Sequence, residues 1–168
     1  ETMIVNYETS DRDEDYQQPA ILYICGGNSE SNSYFQQLVD WRHKRGYVVY
    51  TASLSETGSS SSQIKNYIEN AYETFFPPPE YVALVGDASG SYEVPTFYED
   101  WGHDYFGDWC EGDHPYSQLN GDDLLPEVIV GRISIRSSSD ILNIVNKIIN
   151  YEKVTYMGSL NNFYDRAA

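Results

Sequence analysis

The sequence predicts an α/β fold, a three-layer sandwich whose mainly parallel central sheet has about four strands. Three observations carry this. Short apolar runs of strand length alternate along the chain with stretches whose apolar residues fall three and four apart. The runs are nearly continuous in apolar character, as strands covered on both faces are. The stretches between them are long enough to be helical crossovers, which parallel pairing requires.

Residues 1–18 are a polar lead-in containing Asp11-Arg-Asp-Glu-Asp15. Alternating Asp is a feature of calcium loops, but the Gly and the distal Glu of that motif are absent, so the segment reads as solvated. After Pro19, Ala20-Ile-Leu-Tyr-Ile-Cys25 is the first strand. Asn28 to Ser33 offers N-caps, and Tyr34, Phe35, Leu38, Val39 and Trp41 predict a helix that Gly46 closes. The loop between them, Gly26-Gly-Asn-Ser-Glu-Ser, fits neither G-x-G-x-x-G nor G-x-x-x-x-G-K-[ST], which argues against nucleotide binding. Tyr47-Val-Val-Tyr-Thr51 is a second strand. Ser59 to Ser62 supplies a loop and an N-cap, and Ile64, Tyr67, Ile68, Ala71, Tyr72 and Phe75 predict an amphipathic helix that Pro77-Pro-Pro79 stops. Tyr81-Val-Ala-Leu-Val85 is a third strand and ends in Gly86-Asp87.

The alternation then breaks. Residues 89–116 form an aromatic and acidic excursion without a helical period, holding Tyr92, Phe97, Tyr98, Trp101, Tyr105, Phe106 and Trp109 among seven acidic side chains. A long loop of this kind is functional or runs over the rim of the sheet. Its His103, Asp104, Asp108, Asp113 and His114 are metal-ligand types, but their spacing matches no ligand pattern, and a solvated, hydrogen-bonded loop is the favoured reading. The turn at Asp122-Asp123 leads to a strand at Glu127 to Val130, a Gly131-Arg132 step and a further apolar run, Ile133 to Ile135. Ser137 or Ser138 caps a last helix with Asp140 in its first turn and Ile141, Leu142, Ile144, Val145, Ile148 and Ile149 on its apolar face. Residues 156–168 read as a tail toward a missing second subdomain, which leaves 19–155 as the α/β unit. In parallel sheets the crevice at the carboxyl ends of the strands is the usual ligand position. Cys25-Gly-Gly, Gly86-Asp87 and the Asp122-Asp123 turn are the expected lining.

Composition excludes some function classes. Acidic residues outnumber basic ones 26 to 10, for a net charge of −16, so a nucleic-acid backbone would be repelled. The one basic cluster, Arg42 to Arg45, falls at a predicted helix C-terminus, where cations suit the dipole. No apolar run approaches the ~20 residues needed to span a bilayer. Cys25 and Cys110 form no zinc pattern and are either one bridge or two free thiols. Sixteen tyrosines and few Lys and Arg favour an extracellular or periplasmic setting. A Cys-His dyad built on Cys25 is chemically conceivable, but a Cys that closes an apolar strand is expected to be buried.

Several segments together resemble a known family. They are Tyr81-Val-Ala-Leu-Val-Gly-Asp87, Asp113-x-x-Tyr116-x-x-x-x-Gly121-x-Asp123, Glu127-Val-Ile-Val-Gly-Arg132 and Lys147-Ile-Ile-Asn-Tyr-Glu152, with Trp41-Arg-x-x-Arg-Gly46-Tyr-x-Val49 and Ile64-Lys-x-Tyr-Ile68 before them. In order and spacing they resemble the gingipain-type cysteine peptidases. The resemblance implies a caspase-like catalytic unit of two α/β subdomains, of which this chain matches the amino-terminal one. The family's catalytic His and Cys lie in the second subdomain, and its Thr-Gly-His-Gly-like and Cys-bearing strand ends have no counterpart here. The implied role is non-catalytic: scaffold and part of the substrate cleft of a secreted or cell-surface thiol protease, a hydrolase, with this chain inactive alone. The implied partners are the second peptidase subdomain and the parent's peptide or protein substrate, with no nucleic acid and no membrane span. No cofactor is required, and Ca²⁺ is left open by the acidic loop.

The acidic residue that holds a positive P1 side chain in the arginine-specific members matches Asp123. A partly buried carboxylate can accept a bidentate guanidinium, whereas an Asp-Asp turn can equally serve its own backbone. The competing reading is a catalytically dead peptide-, glycan- or protein-binding module of a surface or secretion-linked protein, with the excursion as contact surface.

Overall fold

The computed structural model describes residues 18–100, 109–121 and 124–153, with the backbone alone at 99–100 and 109–110. The lead-in through Gln17 and the 156–168 tail lie outside the described residues. In chain order the elements are β1 (Ala20–Cys25), α1 (Ser33–Lys44), β2 (Val48–Ser53), α2 (Leu54–Thr57), α3 (Ser61–Thr74), β3 (Tyr81–Val85), β4 (Phe97–Asp100), β5 (Trp109–Gly112), β6 (Ile129–Ile133) and α4 (Ser138–Lys153). Strands β2-β1-β3-β6 form one sheet in that order, every pair parallel. The expected α/β sandwich on a four-stranded parallel sheet is the fold observed.

The layers follow from the alternation of side chains along each strand. Leu22 and Ile24 of β1, with Ala52, Val82 and Leu84 beside them, meet Ile64, Ile68 and Ala71 of α3. Ile21, Tyr23 and Cys25 point the other way and, with Val85, meet Phe35, Leu38 and Val39 of α1 and Ile141 and Val145 of α4. Central β1 therefore has both faces and both edges covered, and all six of its residues are buried. Each large apolar side chain so buried contributes about 1.5–3 kcal/mol.

Helix starts are set by the expected caps. Asn32 Oδ1 accepts from the Tyr34 amide at 2.9 Å, and Ser60 with Gln63 forms a capping box at the head of α3. The basic cluster does more than suit a dipole. Arg42 Nη1 donates to both carboxylate oxygens of Glu152 at 2.8 Å, and Trp41 Nε1 donates to the same group at 2.7 Å, so α1 is bound to α4.

Three details differ from expectation. Strand β2 runs on to Ser53, and the four-residue α2 follows under a Ser53–Glu56 capping box, a turn too short to show a period. The Gly131-Arg132 step is no break, because β6 passes through it as one strand paired with β3. Gly131 is tolerated there because β6 is an edge strand, with less side-chain packing to lose. The excursion also has structure of its own: β4 and β5 pair antiparallel, and a 3-10 turn follows at His114–Tyr116.

Candidate functional site

The usual crevice of such a sheet is filled by the chain itself. Beyond the carboxyl ends of β1 and β3, residues 91–94 lie directly on the two glycine corners. A Cβ at Gly26 would stand 2.4 Å from the Tyr92 carbonyl oxygen, and one at Gly86 would stand 2.1 Å from the same atom. The Val94 amide donates to the Asp87 carbonyl at 2.8 Å, and the Val94 side chain is fully buried. Glycine is required at Gly26 and Gly86 for close backbone approach, and the expectation that these corners line an open ligand crevice is corrected. They are a seam inside the fold.

Arg132 fastens the same seam. Its Nε and Nη2 donate to the two oxygens of Asp113, each at 2.7 Å, in a bidentate pair. Its Nη1 donates to the carbonyls of Gly86 at 3.1 Å and Val94 at 2.7 Å, and Nη2 also reaches the Pro95 carbonyl at 3.4 Å. Every N–H of the guanidinium has an acceptor. One side chain on β6 thus gathers the end of β3, the entry to the excursion and its exit. Thr96 Oγ1 adds a 3.0 Å bond to Asp113 Oδ1. Near the exposed rim, Asp87 accepts from Arg136, Ser134 and the Ala88 amide, and these bonds hold its carboxyl below the ordinary range.

From Asp113 the chain turns inward and then loops back to β6. Tyr116 is fully buried, its hydroxyl donating to the Pro95 carbonyl at 2.6 Å and its ring packed edge-on against Phe97. Burial raises its pKa above the ordinary phenol value. The Glu127 amide donates to the Ser117 carbonyl at 2.9 Å, and the Glu127 carboxylate accepts from the amides of Leu119 at 2.6 Å and Asn120 at 3.3 Å. These bonds close the base of the loop. Asp122 and Asp123, the tip singled out from the sequence, lie outside the described residues. The described stem leading into β6 sits at that strand's amino end, where the Ile129 amide donates to the Glu80 carbonyl at 2.9 Å.

Residues 14–164 match Peptidase family C25. The chain belongs to that family. Gingipain R1 of Porphyromonas gingivalis is 25% identical over 155 residues, which is 90% of this chain and 14% of that protein. Lys-gingipain of the same species is 26% identical over 148 residues, covering 83% of this chain and 8% of that protein. The chain therefore spans a small part of the relatives it matches. Among solved structures, the crystal structure of the Arg-specific cysteine proteinase gingipain R (RgpB) superposes with a TM-score of 0.65 at 23% identity over 83% of this chain and 29% of that one. The complex of the Porphyromonas gingivalis RgpB pro- and mature domains gives 0.66 at 25% identity over 79% and 29%.

The remaining candidates of this C25 chain separate as follows. His103, Asp104 and Asp108 lie outside the described residues. Asp113 is engaged by Arg132 and Thr96, and His114 lies in the 3-10 turn beside Ser117, with Nδ1 3.3 Å from its hydroxyl. Among the described residues no three His, Cys, Asp or Glu side chains gather as a metal site. No helix among them is long and apolar enough to cross a membrane.

Cys25 is a free, fully buried thiol. Burial pushes its pKa from 9.0 up to about 12, the opposite of what a nucleophile needs. Two results are expected. In the native chain Cys25 resists iodoacetamide at pH 8 and reacts after denaturation, as peptide mass spectrometry would read; rapid native labelling would contradict its burial. Because the folded pKa is raised, the thiol's contribution to stability is complete below pH 9 and is lost as pH rises toward about 12. The unfolding midpoint should therefore fall over that window more in the native sequence than in Cys25→Ala.

Proposed function

We propose that this chain is the non-catalytic, amino-terminal subdomain of a secreted gingipain-like cysteine endopeptidase, and that it supplies scaffold and one wall of the substrate cleft. The observation that carries the reading is one of coverage. The C25 match takes in nearly the whole chain, yet corresponds to 14% of gingipain R1 and to 29% of the solved RgpB chain. A thiol nucleophile would have to come from elsewhere than Cys25, whose thiol is buried and held protonated. The proposed partners are the second peptidase subdomain and a peptide or protein substrate, and the role of wall and scaffold needs no cofactor.

Asp123 is the proposed contact for a basic P1 side chain. Support comes from the resemblance around Tyr116, Gly121 and Glu127 and from the stem, where Glu127 and Ser117 fix both ends of the loop. Asp123→Asn in the full peptidase should lower kcat/KM for peptides with Arg or Lys at P1 by roughly tenfold or more, as loss of one partner of a desolvated ion pair does. Peptides with neutral P1 residues should change little. Unchanged cleavage after Arg and Lys would make Asp123 a structural turn residue. The alternative of a free-standing binding module needs the excursion to be an outward platform. Among its described residues Val94, Thr96 and Tyr116 are buried, whereas Tyr98 is 53% exposed.

A further inference from the structure

Asn120-Gly121 lies in the loop that Glu127 closes, and nowhere else in the chain is Asn followed by Gly. Both residues are exposed, and a Cβ at Gly121 would meet nothing within 4 Å. The Asn120 backbone amide donates to Glu127 at 3.3 Å, but among the described residues neither its side-chain amide nor the Gly121 amide is engaged in a hydrogen bond. The other described asparagines are differently placed. Asn66, Asn70, Asn143, Asn146 and Asn150 lie inside α3 and α4, where the amide of the next residue belongs to the helix ladder. Asn32 Oδ1 caps α1, and Asn28 is followed by buried Ser29, whose amide donates to the Gly26 carbonyl. Among the described asparagines, Asn120 alone combines a free side-chain amide with a free N–H on the next residue, and that residue has no side chain to crowd them.

We propose that Asn120 is a self-modification site, deamidating through its own backbone and so ageing the loop that bears Asp123. The Gly121 nitrogen, having lost its proton to solvent base, attacks Asn120 Cγ. An N–Cγ bond forms, the bond from Cγ to the side-chain nitrogen breaks, and that nitrogen leaves with a proton as ammonia. Water then opens the resulting cyclic imide at either of its carbonyls. One opening gives aspartate; the other gives isoaspartate, in which the main chain runs through Cγ and gains a methylene. An amide and a water are consumed, a carboxylate and an ammonium are formed, and nothing is oxidised or reduced. The new carboxylate arises on the residue whose amide, with that of Leu119, is held by the Glu127 carboxylate, and like charges there oppose the closure of the loop. The added methylene falls between those amides and Asp123, so it shifts the tip against its base. The effect on cleavage rests on the proposed role of Asp123; the chemistry at Asn120 does not.

Peptide mass spectrometry of the 168-residue chain, held in mildly alkaline buffer made with heavy-oxygen water, tests this. Asn120 should exchange its amide for a carboxyl group carrying the heavy oxygen and should appear as separate aspartate and isoaspartate peptides. Conversion should quicken as pH rises and run about as fast in the folded chain as in urea, whereas the asparagines inside α3 and α4 should react faster in urea than in the folded chain. An Asn120 that stays intact in the folded chain while it converts in urea overturns the proposal, as does conversion to aspartate without isoaspartate. In the full peptidase, ageing should bring a loss of cleavage after Arg and Lys that Asn120→Gln does not show, because the longer side chain closes the imide ring poorly. Isoaspartate formation with unchanged cleavage upholds the modification site and rejects the role given to Asp123. Intact Asn120 beside normal cleavage after Arg and Lys rejects the modification site alone.

Discussion

Replacing Arg132 by Ala is expected to lower the unfolding free energy of the chain by about 3 kcal/mol or more, out of about 5–15 kcal/mol for a domain of this size. The guanidinium side chain is 15% exposed and its Asp113 partner 26%, so water can do little to replace the lost bonds. The substitution strands the Asp113 carboxylate and withdraws a donor from the carbonyls of Gly86, Val94 and Pro95 at once. Arg132→Lys should recover only part of the loss. It keeps the charge but cannot supply a planar fork to Asp113 while also reaching three carbonyls. Arg132→Ala and Asp113→Ala together should cost clearly less than the sum of the two single changes, since each removes the same pair. Urea unfolding of the four proteins measures this, and a loss under about 1 kcal/mol for Arg132→Ala would mean the pair behaves as a surface ion pair.

Gly86→Ala should be about as damaging, for a steric reason. The added methyl would sit 2.1 Å from the Tyr92 carbonyl oxygen and 2.8 Å from Val94 Cγ2, and the first of these is backbone that cannot swing aside. The 91–94 segment would have to lift off the sheet, breaking the bond between the Val94 amide and Asp87 and loosening the carbonyls that Arg132 holds. A cost at or above the upper end of the ~1–3 kcal/mol range for overpacking is expected. Gly131→Ala is the matched control within the same sheet. Nothing lies within 4 Å of its Cβ position, and the change should be neutral or stabilising by up to about 1 kcal/mol. Thermal unfolding midpoints compare the two, and a Gly86→Ala protein as stable as Gly131→Ala would remove the seam from the account.

The sheet and its helices were legible because their signals are local. Ala20–Cys25 is apolar throughout because it is central, and Ile64, Ile68 and Ala71 recur at helical spacing because α3 turns one face to the sheet. The seam was not legible, because it is made of long-range contacts. Nothing in Gly131-Arg132 indicates that a side chain there meets carbonyls 37, 38 and 46 residues away. Asp113 stood out only as one acid among many, and its part as Arg132's counter-ion depends on β6 lying beside β3. The β4–β5 pair escaped because its two strands are only four residues each, with no alternation to mark them. The proposed contact at Asp123 was reached by resemblance. The turn's acids could be counted, but the bonds from the Leu119 and Asn120 amides to Glu127 need the fold.

The central claim is that this chain supplies a wall and not the nucleophile. Peptide hydrolysis by the full peptidase carrying Cys25→Ala, compared with the unaltered enzyme and with the 168-residue chain alone, tests it most directly. The account predicts full activity per folded molecule for the variant, loss of activity on thiol alkylation in both full-length proteins, and no hydrolysis by the chain alone. Hydrolysis by the isolated chain, or loss of activity on removal of the Cys25 thiol, would contradict it.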